Sequence, residues 1–194
     1  MCTRRIMASA LALTFVLAGL AITGGPFAAA QEATVMTVEE NKALVHRWVE
    51  LWNTGNVDAV GEFVTPDYVR HDPNGPTVHG PEAEQQLVAM YLAAFPDLRF
   101  TIEHLVAEGD TVAGRYTARG THRGELLGIP PTGKQVTLAV MEVYRLTDGK
   151  IAEQWVTMDA LGLLQQLGAG PAPAPGSEPA QAPISHRVHN GNPR

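Results

Sequence analysis

The chain has 194 residues, a formal net charge of −6 and one cysteine, Cys2. It carries 14 Lys and Arg residues against 20 Asp and Glu residues, and no basic cluster stands out, so nucleic acid is not an expected partner. Residues 31–170 contain neither Ser nor Cys, which excludes Ser–His–Asp and Cys–His nucleophilic catalysis from that part of the chain.

The first thirty residues have the pattern of an export signal peptide. Arg4 and Arg5 precede a long apolar stretch, and a run of three alanines ending at Ala30 offers a small-residue cleavage site. We expect cleavage near Ala30 and an exported protein, periplasmic or extracellular, without stable membrane insertion. The general secretory route is the expected one, and the paired arginines leave the twin-arginine route as the alternative.

Composition divides the rest of the chain into three parts. Residues 31–36 are a short lead, residues 37–169 are expected to form one folded domain, and residues 170–194 are rich in Pro, Ala and Gly. The last part has few large apolar residues to offset the cost of ordering, so the sequence predicts a disordered tail.

The N-terminal half of the domain predicts three helices. Thr37 and Glu40 have the spacing of a capping box, and apolar residues at helical spacing follow them. Residues 57–64 indicate a second, shorter helix that Pro66 ends. Pro81 favours the start of a third helix, because the missing N–H of a proline costs little at the first helical position.

Strand patterns dominate the second half. A brief strand is predicted at 68–71. After Pro96 the apolar period changes to two, which predicts one strand from about residue 100 and three more at 111–121, 135–147 and 150–158. A short final helix is predicted around 161–167. Helices followed by consecutive antiparallel strands form an α+β pattern. Long strands twist, so the sheet should curve, and helices closing one side of it would leave a pocket.

The segment 120–134, here called the signature loop, connects two predicted strands and is rich in Gly and Pro. It resembles the Gly-Thr-His-x-Gly-x-x-x-Gly-x-Pro-Pro-Thr-Gly signature of the SnoaL-like polyketide cyclases, also called ester cyclases, in the NTF2-like superfamily. The resemblance covers about residues 41–168. It implies an α+β cone in which a curved antiparallel sheet packs against the three helices of the N-terminal half and a short C-terminal helix.

Asp159 is the first catalytic candidate. Residues 149–159 resemble the family pattern Gly-Lys-Ile-x-Glu-x-Trp-x-x-x-Asp, and the resemblance implies that the final Asp is the catalytic base. An Asp in an apolar pocket would have a raised pKa and be a better base near neutrality. The alternative is that Asp159 only caps the final helix, since Asp is a favoured N-cap.

His71 is the second catalytic candidate. It belongs to a His-Asp-Pro sequence that the family commonly carries facing the pocket. A neutral imidazole could donate to an enolate oxygen or share a proton with Asp159. The alternative is a turn in which Asp72 bonds the backbone ahead of Pro73.

Four residues of two strands are predicted to contact the substrate. Glu153 and Trp155 share a strand face with Asp159 by period two, and Trp155 would stack on a flat substrate or, alternatively, pack in the core. By the same logic Glu142 and Tyr144 line the adjacent strand.

Two further histidines are candidates for the pocket. His122 either faces the pocket mouth or ties down the signature loop by a hydrogen bond. His104 is expected to be partly buried and hydrogen-bonded on its strand, with a pocket role as the alternative. The five histidines of residues 37–169 show no close paired spacing, and His186 and His189 are expected to lie in the solvated tail, so neither a metal nor another cofactor is predicted.

The expected function is that of an exported, cofactor-free SnoaL-like enzyme. By resemblance, Asp159 would remove a proton α to a carbonyl of a small apolar compound, leading to aldol-type ring closure or a related reaction. The alternative is a non-catalytic binder of an apolar ligand, and a homodimer is implied by the resemblance. Gln154 and Val156 stand where many relatives have His and Asp, so a chemistry that needs that histidine would differ here or be absent.

Overall fold

The computed structural model describes residues 36–170; the predicted export signal and the tail beyond residue 170 lie outside the described residues. The helices are α1 (Val38–Thr54), α2 (Val60–Phe63), α3 (Gly80–Ala94) and α4 (Ala160–Leu167), and the strands are β1 (Val64–His71), β2 (Val78–His79), β3 (Arg99–Glu108), β4 (Thr111–Thr121), β5 (Gln135–Thr147) and β6 (Lys150–Met158). Among these residues, no helix is long and apolar enough to cross a membrane.

Helix α1 begins at the predicted capping box. The Thr37 hydroxyl accepts the Glu40 backbone N–H at 3.2 Å, and the Glu40 carboxylate accepts the Thr37 backbone N–H at 2.8 Å. The helix ends at Gly55, whose φ of 72° is the left-handed conformation that glycine adopts without strain. Its apolar stripe, including Trp48 and Trp52, is buried against the sheet.

The second predicted helix is shorter than expected. Residues Val57–Ala59 form a 3-10 turn, α2 is one turn long, and β1 begins at Val64, before Pro66. Pro66 therefore lies inside β1 and does not end a helix. It falls between Val64 and Val69, where the pairing of β1 shifts register, and a strand tolerates a proline where its N–H is not needed for the ladder.

The six strands form one sheet in the order β2-β1-β6-β5-β4-β3. Strands β3 to β6 pair antiparallel in succession, as predicted. Strand β1, for which the sequence predicted no partner, runs antiparallel to β2 and parallel to β6. Strand β2, helix α3 and strands β3 to β5 lie between β1 and β6 in the sequence, so the parallel pair is joined by a long connection. The edge strands β2 and β3 do not meet, and the sheet stays unclosed.

One face of the sheet, here called the inner face, packs with α1 and α3 into the core. On β4 and β5 the buried residues of this face alternate along the strand and include Tyr116, Val140 and Tyr144. The opposite face, the outer face, carries exposed side chains such as Met141 and Trp155. Successive side chains of a strand point to opposite faces, so a residue's position in this alternation decides which environment it occupies.

Candidate active site

A pocket of about 580 Å³, its open mouth included, lies on the inner face of the sheet. Most of its wall is apolar and comes from α1, α3, α4, the segment after α3, and the inner positions of β3 to β6: Trp52, Phe95, Leu98, Phe100, Ala118, Val136, Leu138, Val140, Val156, Met158 and Leu163. Three lining residues are polar: Arg70, Tyr91 and Glu142. A mostly apolar wall with a few polar groups is typical of a small-molecule site.

Glu142 is the carboxylate of the pocket wall. The Tyr144 hydroxyl, two residues along the same strand face, donates to Glu142 Oε2. Opposite Glu142 on β4 stands Gly114, and a side chain there would collide with the Tyr116 hydroxyl, which occupies that space. Burial raises the pKa of Glu142, while the charge of Arg70 and the Tyr144 hydrogen bond oppose the rise.

Arg70 is the cation of the pocket wall, and α3 supplies its partner. Arg70 Nη1 lies 3.2 Å from Glu84 Oε1, and both side chains are buried. Arg70 Nε and Glu84 Oε2 have no hydrogen-bond partner within the described residues, so Arg70 keeps a donor free. Burial raises the pKa of Glu84, and the charge of Arg70 opposes this rise.

These groups are suited to proton transfer. A carboxylate whose pKa is raised is a stronger base, which can take a proton from carbon and return it. A buried guanidinium with a free donor can stabilise negative charge that develops on a nearby oxygen.

Asp159 lies outside the pocket wall. Its side chain is exposed, and its Oδ1 accepts the backbone N–H of Gly162 at 2.8 Å as the N-cap of α4. The geometry is that of the capping alternative. Strand β6 ends at Met158, so Asp159 does not continue the alternation of that strand.

His71, Glu153 and Trp155 lie together on the outer face, which corrects their predicted placement in the pocket. The His71 and Trp155 rings stack with centroids 5.4 Å apart, and His71 Nε2 lies 2.8 Å from Glu153 Oε1. Arg145 Nη2 binds Glu153 Oε2 at 2.9 Å. The prediction placed Asp159 in the pocket and assigned Glu153 and Trp155 to the same face of β6 by period two. Because Asp159 is not part of the strand, this assignment was displaced by one residue, and the two faces of β6 were exchanged.

The inner positions of β6 are occupied by Gln154 and Val156, which alternate with the outer-face residues Glu153 and Trp155. Gln154 is buried and accepts the Tyr68 hydroxyl at 2.5 Å, while Val156 lines the pocket. Gln154 and Val156, which stand where the resemblance implies His and Asp, therefore both face inward.

His122 is buried and holds the signature loop together. Its Nδ1 accepts the Thr132 backbone N–H at 3.3 Å and lies 3.1 Å from the Thr132 hydroxyl. The ring packs on Phe95 with a centroid distance of 5.2 Å, and His122 is not among the pocket-lining residues. This geometry is that of the loop-tying alternative.

His104 is exposed on the outer face, contrary to the expectation of partial burial. A β-bulge between Ile102 and His104 shifts the register of β3 against β4, so the inward positions continue at Leu105 and not at His104. A bulge inserts one unpaired residue and exchanges the two faces beyond it.

The signature loop docks on the end of α3. The backbone N–H groups of Arg123 and Gly124 donate to Ala94 O at 2.9 and 3.0 Å. A side chain at Gly124 would collide with the Ala93 carbonyl, so the close approach requires glycine. Lys134 Nζ donates to Leu167 O at 3.1 Å at the end of α4, and the loop thereby positions two helices that border the pocket.

Within residues 36–170, no three His, Cys, Asp or Glu side chains converge where they could hold a metal ion.

A mostly apolar pocket on the inner face of a curved, unclosed sheet defines the small-molecule class of NTF2-like proteins. The comparisons with known proteins give the family. The model of the SnoaL-like polyketide cyclases matches residues 42–167, so the chain belongs to that family of enzymes. It is 34% identical over 148 residues to the aklanonic acid methyl ester cyclase DauD of Streptomyces sp. strain C5, covering 74% of this chain and 91% of DauD.

Two further relatives support the assignment. The aklanonic acid methyl ester cyclase DnrD of Streptomyces peucetius is 35% identical over 135 residues, 68% of this chain and 92% of DnrD. The crystal structure of AclR from Streptomyces galilaeus, a proposed hydroxylase, superposes with a TM-score of 0.64 at 34% identity, covering 70% of this chain and 85% of AclR. Proteins with this fold are thus named for more than one reaction, so the reaction of this protein has to be argued from the residues of its site.

Arg70 and Glu84 were missed in the sequence. The neighbouring His-Asp-Pro drew the prediction to His71, although Tyr68 and Arg70 share the other face of the same strand by period two. Glu84 stands at helical spacing with Leu87, Val88 and Tyr91, a pattern that indicates a carboxylate on the buried stripe of α3.

Proposed function

We propose that the protein closes a ring in a small, mostly apolar carbonyl compound by cofactor-free acid–base chemistry, with Glu142 as the base. The observation that carries the proposal is the position of Glu142, a carboxylate with a raised pKa beside Arg70 in an apolar pocket. The cyclase names of DauD and DnrD support a polyketide ester as the substrate class.

The proposed reaction is an internal aldol addition. Glu142 takes a proton from the carbon next to a carbonyl, and the electron pair moves onto the carbonyl oxygen, which Arg70 stabilises. The enolate carbon then attacks a second carbonyl carbon of the same molecule and forms the new C–C bond. The oxygen of the second carbonyl takes the proton back from Glu142, so the product is an isomer of the substrate and no redox partner is needed.

The apolar wall contributes orientation. A flexible substrate closes a ring only when its two reacting carbons are held in contact, and a pocket that folds it into that geometry lowers the entropic part of the barrier. The aromatic side chains Trp52, Tyr91 and Phe100, which pack against one another, form one side of this wall.

Two further parts of the proposal have support outside the pocket. Export is supported by the signal-like residues 1–30. A homodimer is supported by exposed apolar side chains on the outer face, Val106, Met141 and Trp155, since exposed apolar patches often mark interfaces. Sedimentation analysis of the mature chain would test the dimer.

The decisive experiment compares Glu142→Gln with Asp159→Asn, using aklanonic acid methyl ester as the probe. We expect Glu142→Gln to lower kcat by about 100-fold or more, the usual contribution of a general base, while ligand affinity stays within a few-fold. Asp159→Asn should lower kcat by less than a few-fold. Full activity of Glu142→Gln with loss of activity in Asp159→Asn would return the role of base to Asp159.

The second candidate is a non-catalytic binder, favoured by the apolar character of most of the wall. Binding of the probe by the wild-type protein without turnover, and with equal affinity in Glu142→Gln, would support it. Mass spectrometry of the product separates cyclisation from hydroxylation, because cyclisation leaves the mass unchanged and hydroxylation adds one oxygen atom.

A further inference from the structure

Arg70, the cation whose charge acts on Glu142, is paired with a buried carboxylate, Glu84, that is not among the pocket-lining residues. We infer that Glu84 sets the proton affinity of Glu142 through the guanidinium of Arg70, and is a positioning residue for the base. The inference rests on the proposed function for its catalytic meaning, but it can be tested without turnover.

One cation, Arg70, pairs with Glu84 and lines the same pocket as Glu142. Glu84 is on α3, is 0% exposed, and contacts Arg70 at 3.2 Å. Arg70 is on β1 and lines the pocket together with Glu142 of β5. Three different elements therefore bring three charged groups to the pocket wall, and two of them, Arg70 and Glu84, are buried.

The charge of Glu84 decides how strongly Arg70 acts on Glu142. An unpaired guanidinium beside Glu142 would hold its carboxylate ionised and make it a weak base. When Glu84 is ionised, it offsets much of the Arg70 charge, and the burial of Glu142 then dominates. A base whose pKa stays raised can both take and return a proton within one turnover.

Electrostatics in the site agree with this arrangement. Burial raises the pKa of Glu142 and of Glu84, and the charge of Arg70 opposes the rise in both. The charge of Glu142 also raises the pKa of Glu84. Because such an effect is mutual, the two carboxylates titrate as a coupled pair.

The other groups around the pair are phenols. Tyr68 comes from β1, Tyr116 from β4, Tyr144 from β5 and Tyr91 from α3, and burial raises the pKa of each. The phenols stay neutral below pH 10, and arginine keeps its charge throughout. Between pH 4 and 9, Glu84 is therefore the one of these named neighbours whose own charge changes near Glu142.

The experiment is a pH titration of the whole protein followed by ¹³C NMR of the glutamate side-chain carboxyl groups. Glu142→Gln and Glu84→Gln identify the two signals. In Glu84→Gln we expect the midpoint of the Glu142 signal to fall by about one pH unit, the order of effect of a close opposite charge. The matched control is Glu82→Gln, which makes the same change on the exposed side of α3 and should leave the midpoint in place.

The wild-type protein supplies a second readout that does not depend on the folding of a variant. Coupling requires both carboxyl signals to show two inflections at shared pH values. A single independent inflection for each signal would overturn the inference, as would an unchanged Glu142 midpoint in folded Glu84→Gln. A variant Glu84→Asp, which keeps the charge, should restore most of the wild-type midpoint.

Activity then separates this inference from the proposed function. If the protein turns over the probe, the acid limb of the kcat/KM profile should move down with the NMR midpoint in Glu84→Gln. If turnover is absent or unaffected by Glu142→Gln, the proposed function fails while the NMR result still decides the role of Glu84.

Discussion

The two faces of the sheet carry the same pair of residue types in opposite roles. On the inner face Arg70 and Glu84 are 3.2 Å apart with side-chain exposures of 6% and 0%; on the outer face Arg145 and Glu153 are 2.9 Å apart with 45% and 25%. Burial raises the pKa of Glu84, whereas hydrogen bonds from His71 and Arg145 lower the pKa of Glu153. The same contact therefore accompanies opposite pKa shifts, because the two glutamates differ in burial and in hydrogen bonding.

The largest difference between the faces should appear in stability. Arg70→Met leaves Glu84 buried without its cation, and we expect a loss of about 3–5 kcal/mol in the free energy of unfolding. Arg145→Met breaks a solvent-screened pair and should cost no more than about 1 kcal/mol. Urea unfolding followed by circular dichroism measures both, and equal losses would remove the distinction between the faces.

The pH dependence of stability should have opposite signs on the two faces. The folded pKa of Glu142 is raised, so its favourable contribution is complete below the unfolded value of 4.5 and is lost as pH rises through the folded pKa. The folded pKa of Glu153 is lowered, so its contribution is present above 4.5 and is lost as pH falls through the folded pKa.

The measurement compares urea midpoints of the wild type with those of Glu142→Gln and Glu153→Gln between pH 3 and 8. Relative to Glu142→Gln, the wild type should weaken toward pH 8, by about 1.4 kcal/mol for each unit by which the pKa is raised. Relative to Glu153→Gln, it should weaken toward pH 3, by a smaller amount because the outer group is solvated. Parallel curves for the two variants would contradict the assignment.

The smallest effect is expected at the outer-face tryptophan. Trp155 is 39% exposed, whereas Trp52 in the pocket wall is 7% exposed. Trp155→Phe should change stability by less than about 0.5 kcal/mol and leave ligand affinity unchanged, as for most surface substitutions. It should nevertheless remove most of the fluorescence that acrylamide quenches. A loss of ligand affinity in Trp155→Phe would restore the sequence-based placement of this side chain in the pocket.

The elements of the fold could largely be predicted from local patterns. The bounds of β4, β5 and β6 follow from period-two sequence and the turns between the strands, and α1 begins where the Thr37 capping box predicts. The parallel placement of β1 beside β6 could not be predicted in this way, because it depends on contacts between residues far apart in the sequence.

The site was harder to predict because a single residue of phase reverses every side chain of a strand. On β5 the apolar residues Val136, Leu138 and Val140 share a face with Glu142 by period two, and that face is the inner one. On β6 the phase was taken from Asp159, a helix cap, and the prediction placed Trp155 inside in place of Gln154. On β3 a bulge, which leaves no clear mark in the sequence, reversed His104.

The contact between Gly124 and the Ala93 carbonyl has a consequence for engineering. The signature loop holds α3 through backbone groups, and its segment contributes no side chain to the pocket wall. Wall positions such as Leu138, Val140 and Met158 therefore sit on strands that can be varied while the loop is kept constant. A library at those positions could explore new ligand shapes on an unchanged scaffold, with Gly124 left untouched.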